Sequence, residues 1–236
     1  MRHFSVVVMC GVSLALAGLA QAQAPTGEIV VTGNRISGED YSRMPAVTIE
    51  KRADFLVQEI RLTNDTRDAD ARRNELYQTI RDMVADASKK PGMALGYGDE
   101  FLIPITAQDY EIPLSSGGQR PDTNYTHLYV KVALGPNDDV SKALQMLTSF
   151  IAKARVTGRT EIDPEDELAL SLVNPERYRY EIIEQISADA KMLQAAIGSH
   201  CRVAIFGLAN RVSWQRSDVS QLTLYIPYQV ELAECQ

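Results

Sequence analysis

The fold is decided by the stretch SLVNPERYRYEIIEQISADAKMLQAAIG, residues 171–198, in which the end of a strand runs into a long helix. Asn174 and Pro175 predict the helix start, because Asn is favoured as an N-cap and Pro at the first helical position. Gly198 is suited to end the helix. The apolar residues between these signals recur at the helical period and predict a single buried stripe. That stripe consists of Ile182, Ile183, Ile186, Ala190, Leu193 and Ile197.

Two segments of alternating polarity follow this helix, at 202–214 and 221–233, and they predict a closing β-hairpin. A register that sets Cys201 opposite Cys235 also aligns the apolar residues of the two strands. The aligned pairs are Ala204–Leu232, Phe206–Val230 and Leu208–Tyr228. Opposed strand residues have their Cα atoms within disulfide range. We therefore predict a disulfide between Cys201 and Cys235.

The segments upstream alternate between strand and helix patterns. Strands are predicted at 46–50, 54–63, 101–105, 126–134 and 168–173. One helix follows N-cap candidates at Asn64, Asp65 and Thr66, and another begins at Asp138 or Asp139. The first stripe comprises Leu76, Ile80, Met83, Val84 and Ala87, and the second Val140, Ala143, Leu144, Leu147, Ile151 and Ala154. These patterns predict an α+β fold, a mostly antiparallel sheet with about three amphipathic helices packed on it, closing with a helix–β-hairpin unit.

Length and charge exclude several classes of protein. The chain has 236 residues, 45% of them hydrophobic, which is enough to bury a sizeable core. This composition argues against disorder and against a disulfide-dense mini-protein. With 24 Lys and Arg against 31 Asp and Glu, the formal net charge is -7. An acidic balance disfavours a general nucleic-acid binder, which needs a basic face.

The N-terminus has the features of a secretory signal peptide. A short basic start, Arg2 and His3, precedes an apolar run over 4–19. Two A-x-A cleavage patterns end at Ala22 and Ala24. We expect cleavage after Ala22, so that 1–22 is removed, although an uncleaved membrane anchor is the alternative interpretation.

The remaining chain is expected to be an exported, periplasmic product. Residues 23–44 have the composition of a flexible N-terminal segment, with a short strand as an alternative near residue 28, and residues 45–236 form the predicted domain. No later stretch reaches the roughly 18 apolar residues of a spanning helix, so no transmembrane segment is expected in the mature chain. The periplasm also supplies the oxidising conditions that the predicted disulfide needs.

The order of elements in the last third resembles the SIMPL-domain family (the YggE-like group) of secreted bacterial proteins. The resemblance lies in the strand at 170–173, the Asn174-Pro175 helix start, an Ala-rich helix, Gly198 and two closing strands, and it extends in order of elements over 45–233. The repeated Arg and Ala of the family helix are partly replaced here by Tyr178, Tyr180 and Ile182. The resemblance implies a periplasmic, non-enzymatic, sometimes oligomeric protein associated with envelope or oxidative stress. It brings no catalytic residues.

A second resemblance is confined to EIVVTGNRI, residues 28–36, which is similar to the start of the plug of TonB-dependent outer-membrane receptors. Such receptors continue into a large plug and a long transmembrane barrel, and this chain is not expected to be a complete receptor of that kind. The alternative function that this stretch indicates is an accessory component of a TonB-linked uptake system.

Residues with catalytic or metal-binding chemistry are few, and we predict no catalytic, cofactor-binding or metal site. The glycines at 92–98 lack the Lys-Ser/Thr of a phosphate loop, which favours a glycine-rich connection. His127 falls on the polar face of a strand. His200 with Cys201 and Cys235 offers at most three of the ligands of a metal site, so the disulfide is favoured. The acidic run Asp163, Glu165, Asp166 and Glu167 is interrupted by Pro164 and is predicted to be a solvated loop.

Aromatic residues in the closing unit are candidates for an interface. Trp214 and Tyr225 are predicted to be exposed, whereas Tyr228 belongs to the apolar face of its strand; ordinary packing is the alternative for all three. The leading hypothesis is a periplasmic binding or assembly protein whose partners are a second copy or an envelope protein. An enzyme with a site formed across the fold is the weakest of the three classes considered.

Overall fold

The computed structural model of the chain describes residues 27–32, 44–99, 101–117, 120–198 and 201–233. Three α-helices pack with sheets whose strand pairs are antiparallel, which confirms the predicted α+β class. The predicted signal peptide lies outside the described residues. Over the part of the chain that is described, no helix is both long enough and apolar enough to cross a bilayer.

The helices and strands have the following bounds. The strands are β1 Glu28–Val31, β2 Ile49–Arg52, β3 Phe55–Asn64, β4 Met93–Tyr97, β5 Ile103–Ile105, β6 Ser115–Gly117, β7 Arg120–Ala133, β8 Thr160–Val173, β9 Arg202–Phe206, β10 Ser213–Arg216, β11 Gln221–Tyr225 and β12 Gln229–Ala233. The helices are α1 Ala69–Ala87, α2 Val140–Ala152 and α3 Arg179–Ile197, and a short 3-10 helix, Pro175–Tyr178, precedes α3.

The core lies between one face of a large sheet, which we call the main sheet, and the helices α1 and α2. The sheet runs in the order β1-β8-β3-β7-β4-β5, with β6 also paired to β7. Period-two alternation puts apolar side chains on the covered face, and each is at most 1% exposed; they include Leu56, Ile60, Leu62, Leu128, Val130 and Leu170. The stripe predicted for α1 is buried against them as expected, and α2 adds Phe150, which the sequence analysis missed.

The opposite face of this sheet is strongly concave. Glu28 in β1 and Lys131 in β7 form an ion pair, although three strand spacings, roughly 14 Å in a flat sheet, separate their strands. Ser171 donates to the same carboxylate at 2.6 Å, and Lys131 lies 4.3 Å from the ring centroid of Phe55. The Leu102 amide donates to the Glu28 carbonyl at 2.8 Å, which joins the two edges of the sheet.

This arrangement also gives residues 28–31 a place in the fold. The stretch that resembles a receptor plug contributes β1, which pairs with β8 from Glu28–Val173 to Val31–Leu170. Ile29 and Val31 are buried in the core. Strand pairing therefore accounts for the apolar pattern of this stretch, and the ordered fold includes part of the segment predicted to be flexible.

The acidic run predicted as a loop is part of a strand, so that prediction was wrong. Strand β8 extends through it, and the register with β3 shifts at a β-bulge opposite the Gln58–Ile60 step. Gln58 is buried and donates to the Glu165 carbonyl within the bulge. The polar residue that interrupted the apolar pattern of β3 is thus satisfied by the bulge. The acidic side chains themselves are exposed.

The glycine-rich stretch at 92–98 is likewise a strand and not a connection. Strand β4 pairs with β7 and β5, with Leu95 opposite Val130 and Ile105. Gly96 lies where an added Cβ would be 3.2 Å from the Ile103 carbonyl oxygen. These glycines therefore serve close packing of backbone in a curved sheet.

The predicted closing hairpin is divided into two separate ladders. Strands β10 and β11 pair with each other, and β11 also pairs with β2; β9 pairs only with β12 among the described strands. The predicted register is wrong by one position, because Ala204 lies opposite Glu231 and not Leu232. The two ladders differ in register because a turn at 207–212 faces only three residues, 226–228. Pro227 lacks an N–H group and cannot continue the ladder.

Helix α3 is buried only along its first half. Ile182 and Ile186 are buried, as predicted, but Ile183, Ala190, Leu193 and Ile197 are only partly buried. The second half, 187–197, with β9 and β12 forms what we call the outer lobe, in which large apolar side chains are exposed. These are Met192 at 66%, Phe206 at 52% and Leu232 at 52%. Asn174 has a left-handed backbone and makes no side-chain cap, contrary to the N-cap prediction.

Candidate functional site

The two predicted interface aromatics do not form one surface. Trp214 lies opposite Leu224, which is fully buried, and packs against the core. Tyr225 lies opposite Ser213, on the other face of the same three-stranded sheet. A role for either residue in an interface stays a prediction, and each would belong to a different surface. Tyr228 packs partly buried against the core.

The cysteine predictions fall partly outside the described residues. Cys201 is described, whereas His200 and Cys235 are not, so the disulfide stays a prediction. Within the described ranges, no three His, Cys, Asp or Glu side chains are grouped as they would need to be to hold a metal ion.

His127 belongs to a polar row on the concave face of the large sheet, as the strand pattern predicted. Its Nδ1 lies 2.8 Å from Glu59 Oε1, and its ring meets that of Tyr125 edge to face. Burial, reinforced by Glu59, raises the pKa of Tyr129 to about 12. The Arg61 guanidinium lies 4.3 Å from the Tyr125 ring centroid. Each of these side chains has a partner within the row, so the row is described best as a cross-strand network.

The ends of α1 and α2 form a more open site. Helix α1 begins at the N-cap Asp68 and ends at Ala87, so the prediction of an N-cap at 64–66 was wrong. The Asp68 carboxylate accepts the Ala71 amide at 2.8 Å. The Lys90 amide then bonds to the Ala87 carbonyl at 2.8 Å, and the chain turns at Gly92, whose φ is +74°. The positive φ favours glycine, and the turn leaves Lys89 and Lys90 at the helix end.

Helix α2 ends beside this turn. It begins at the N-cap Asp139, as predicted, and its last residues place Phe150 against the core and Lys153 at its end. The chain from 154 to 159 then runs back along α1 as a strap. Arg155 contacts Asp86 at 3.3 Å, and the Thr157 amide donates to Thr79 at 3.0 Å.

Glu75 holds the far end of this strap. Its carboxylate accepts from the Asn64 side chain at 2.8 Å, the Thr66 hydroxyl at 2.7 Å and the Arg159 amide at 3.0 Å. These hydrogen bonds, that of Asn64 first, lower the pKa of Glu75. Gly158 has φ +60°, and a Cβ there would collide with the Glu75 carboxylate. The glycine therefore lets the strap lie close to α1.

Between the two helix ends lies a cleft of about 530 Å³, which we call the helix-end cleft. This volume is within the range of small-molecule sites. Its apolar surface comes from Met83, Pro91, Met146, Phe150 and Ala154. Met83 and Phe150 are at most 5% exposed and form the floor, whereas Met146 is 42% exposed at the opening.

The rim of the helix-end cleft is basic. Lys89, Lys90 and Lys153 line it together with one carboxylate, that of Asp86. Lys89 contacts this carboxylate at 2.8 Å and Arg155 approaches it from outside, so the Lys89 hydrogen bond and then the Arg155 charge lower the pKa of Asp86. Among the described residues, neither Lys90 nor Lys153 is ion-paired.

None of the three rim lysines, Lys89, Lys90 and Lys153, was predicted as a site residue. No local pattern connects these residues, since more than sixty positions separate Lys90 from Lys153. Their grouping follows from the packing of α1 and α2 on the same sheet face. Chemically, the cleft offers an adaptable apolar floor and positive charge at its rim.

In comparisons with known proteins, no family model and no curated protein matches the chain. The resemblance to the SIMPL-domain family therefore stays a prediction from the order of elements.

Proposed function

We propose that the chain is an exported periplasmic protein that acts by binding or assembly and not by catalysis. The signal features at 1–22 support the compartment. The observation that carries the binding function is the helix-end cleft, where an apolar floor of ligand-binding size is bordered by Lys90 and Lys153. An association with envelope stress rests on the family resemblance alone.

The proposal assigns different roles to the two helix surfaces of the fold. The covered sides of α1 and α2 stabilise the sheet, and their ends present the binding site. The TonB-linked alternative, motivated by residues 28–36, has no comparable support, since residues 28–31 of that stretch are paired in the main sheet.

Affinity purification of the exported, tagged protein from envelope extracts tests the proposal, with mass spectrometry of both small molecules and proteins that co-purify. We expect a bound species that the double variant Lys90→Glu, Lys153→Glu loses. The matched control is the double variant Lys142→Glu, Lys191→Glu, which reverses the charge at two exposed positions away from the cleft. This control should retain the bound species.

Two outcomes would contradict the proposal. Co-purifying species that are the same for the cleft variant and the control would exclude the cleft as the binding site. Intact protein in the cytoplasm that retains Met1 would refute export; N-terminal sequencing of the exported form should instead begin at Gln23 or Pro25.

A further inference from the structure

We infer that the helix-end cleft binds an amphipathic monoanion, a molecule with a single alkyl chain and a carboxylate headgroup. This inference rests on the proposed binding function and specifies its ligand class. Nothing in the sequence patterns pointed to it, because the cleft exists only where the ends of α1 and α2 meet.

The charge of the rim selects an anion. Lys89, Lys90 and Lys153 line the rim with one carboxylate, that of Asp86, and Arg155 contacts this carboxylate from outside the cleft. The lining residues leave a formal charge of +2, and Arg155 raises it to about +3. Lysines near helix C-termini are common because they complement the helix dipole. The two helix ends carry about half a negative charge each, so they offset only about one of these charges. Roughly two positive charges remain, on a chain whose net charge is -7.

The apolar floor of the cleft favours a ligand with a flexible apolar chain. Met83 and Met146 are unbranched and adapt to irregular partners, and Phe150 adds an aromatic side chain to the lining. A strongly hydrated small anion would gain nothing from this surface, whereas each alkyl CH₂ buried on it increases the affinity. A carboxylate at the opening lies near Lys90 and Lys153, the two rim lysines that have no carboxylate partner within the described part of the chain.

Isothermal titration calorimetry of the purified mature protein tests this inference, with dodecanoate as the probe below its micelle concentration. We expect saturable binding at one molecule per chain. Butanoate, which lacks the chain, and dodecyltrimethylammonium, which reverses the charge, should bind at least tenfold more weakly. Undetectable dodecanoate binding, or equal binding of the cation, would overturn the inference.

Variants locate the binding in the cleft. The double variant Lys90→Glu, Lys153→Glu should weaken dodecanoate binding at least tenfold, and Met146→Gln should weaken it several-fold. The control Lys142→Glu, Lys191→Glu has the same change of charge. Its affinity for dodecanoate should be within about twofold of that of the parent protein. All these positions are exposed, so circular dichroism should show the same fold for every variant. Unchanged binding in the cleft variants would assign dodecanoate to another surface and refute the site.

The outcomes separate this inference from the proposed function. If dodecanoate does not bind while envelope extracts still yield a species that depends on Lys90 and Lys153, the ligand class is wrong and the binding function stands. If neither is found, both are wrong.

Discussion

The main sheet and the outer lobe contain similar sequence patterns but differ in burial. In the main sheet, apolar positions such as Leu56 and Leu128 are at most 1% exposed, because α1 and α2 cover the face they occupy. In the outer lobe the helical period of α3 continues, yet Leu193 is only partly buried and Met192 is 66% exposed. The β9–β12 sheet has only two strands of five residues each and is too small to cover the second half of the helix. The period of the apolar residues thus predicts which face of a helix is buried. It does not predict how much of that face the neighbouring elements cover.

The largest effect is expected within the main sheet, at its buried ion pair. Lys131→Ala should lower the free energy of unfolding by about 3–5 kcal/mol, because it leaves the Glu28 carboxylate buried without its cation. Urea denaturation followed by circular dichroism measures this change. The double variant Glu28→Gln, Lys131→Met removes both charges and should be clearly more stable than Lys131→Ala. If it is not, the loss of stability in Lys131→Ala does not come from an unpaired Glu28 carboxylate.

The next largest change in the free energy of unfolding is expected in α3, where one substitution in each half allows the two halves to be compared. Ile186 is 1% exposed, and Ile186→Ala should cost about 2–5 kcal/mol of unfolding free energy. Leu193 lies two turns further along the same stripe, and Leu193→Ala should cost about 1 kcal/mol or less, because much of its surface is already hydrated. Equal costs at the two positions would mean that the outer lobe packs as tightly as the core.

Prediction from sequence was accurate for several features that a local signal determines, although the N-cap predictions at Asn174 and at 64–66 were wrong. The α+β class, the buried stripe of α1 and the N-cap Asp139 all follow from periodicity and capping chemistry. It was inaccurate where the structure depends on distant segments. Gln58 broke an apolar pattern for a reason that lies in the bulge of β8, more than a hundred residues away. The helix-end cleft is a case of the same kind, since its lysines come from two helix ends.

The contact between Glu75 and the strap across α1 should make a smaller contribution to stability, and this contribution depends on pH. The Glu75 carboxylate accepts three hydrogen bonds, which lower its pKa in the folded chain below the ordinary value of 4.5. A lowered pKa means that the charged form stabilises the fold at neutral pH, and that this stabilisation is lost as the pH falls from about 4.5 through the folded pKa. Thermal melting from pH 7 to pH 3 should therefore show a smaller acid-induced fall in Tm for Glu75→Gln than for the parent. An identical pH dependence would show that Glu75 does not couple the strap to protonation.

The smallest effects are expected on the solvent side of α3. Glu184 and Gln185 are exposed and flank the buried Ile186, so they lie within one turn of the most sensitive position on this helix. Replacing either by Ala removes no core contact, and Ala has a slightly better helix propensity. The free energy of unfolding should therefore change by less than about 0.5 kcal/mol. Measured in the same urea series as Ile186→Ala, a loss above about 1 kcal/mol at either position would mean that this face of α3 is covered and that the first half of the helix is buried on more than one side.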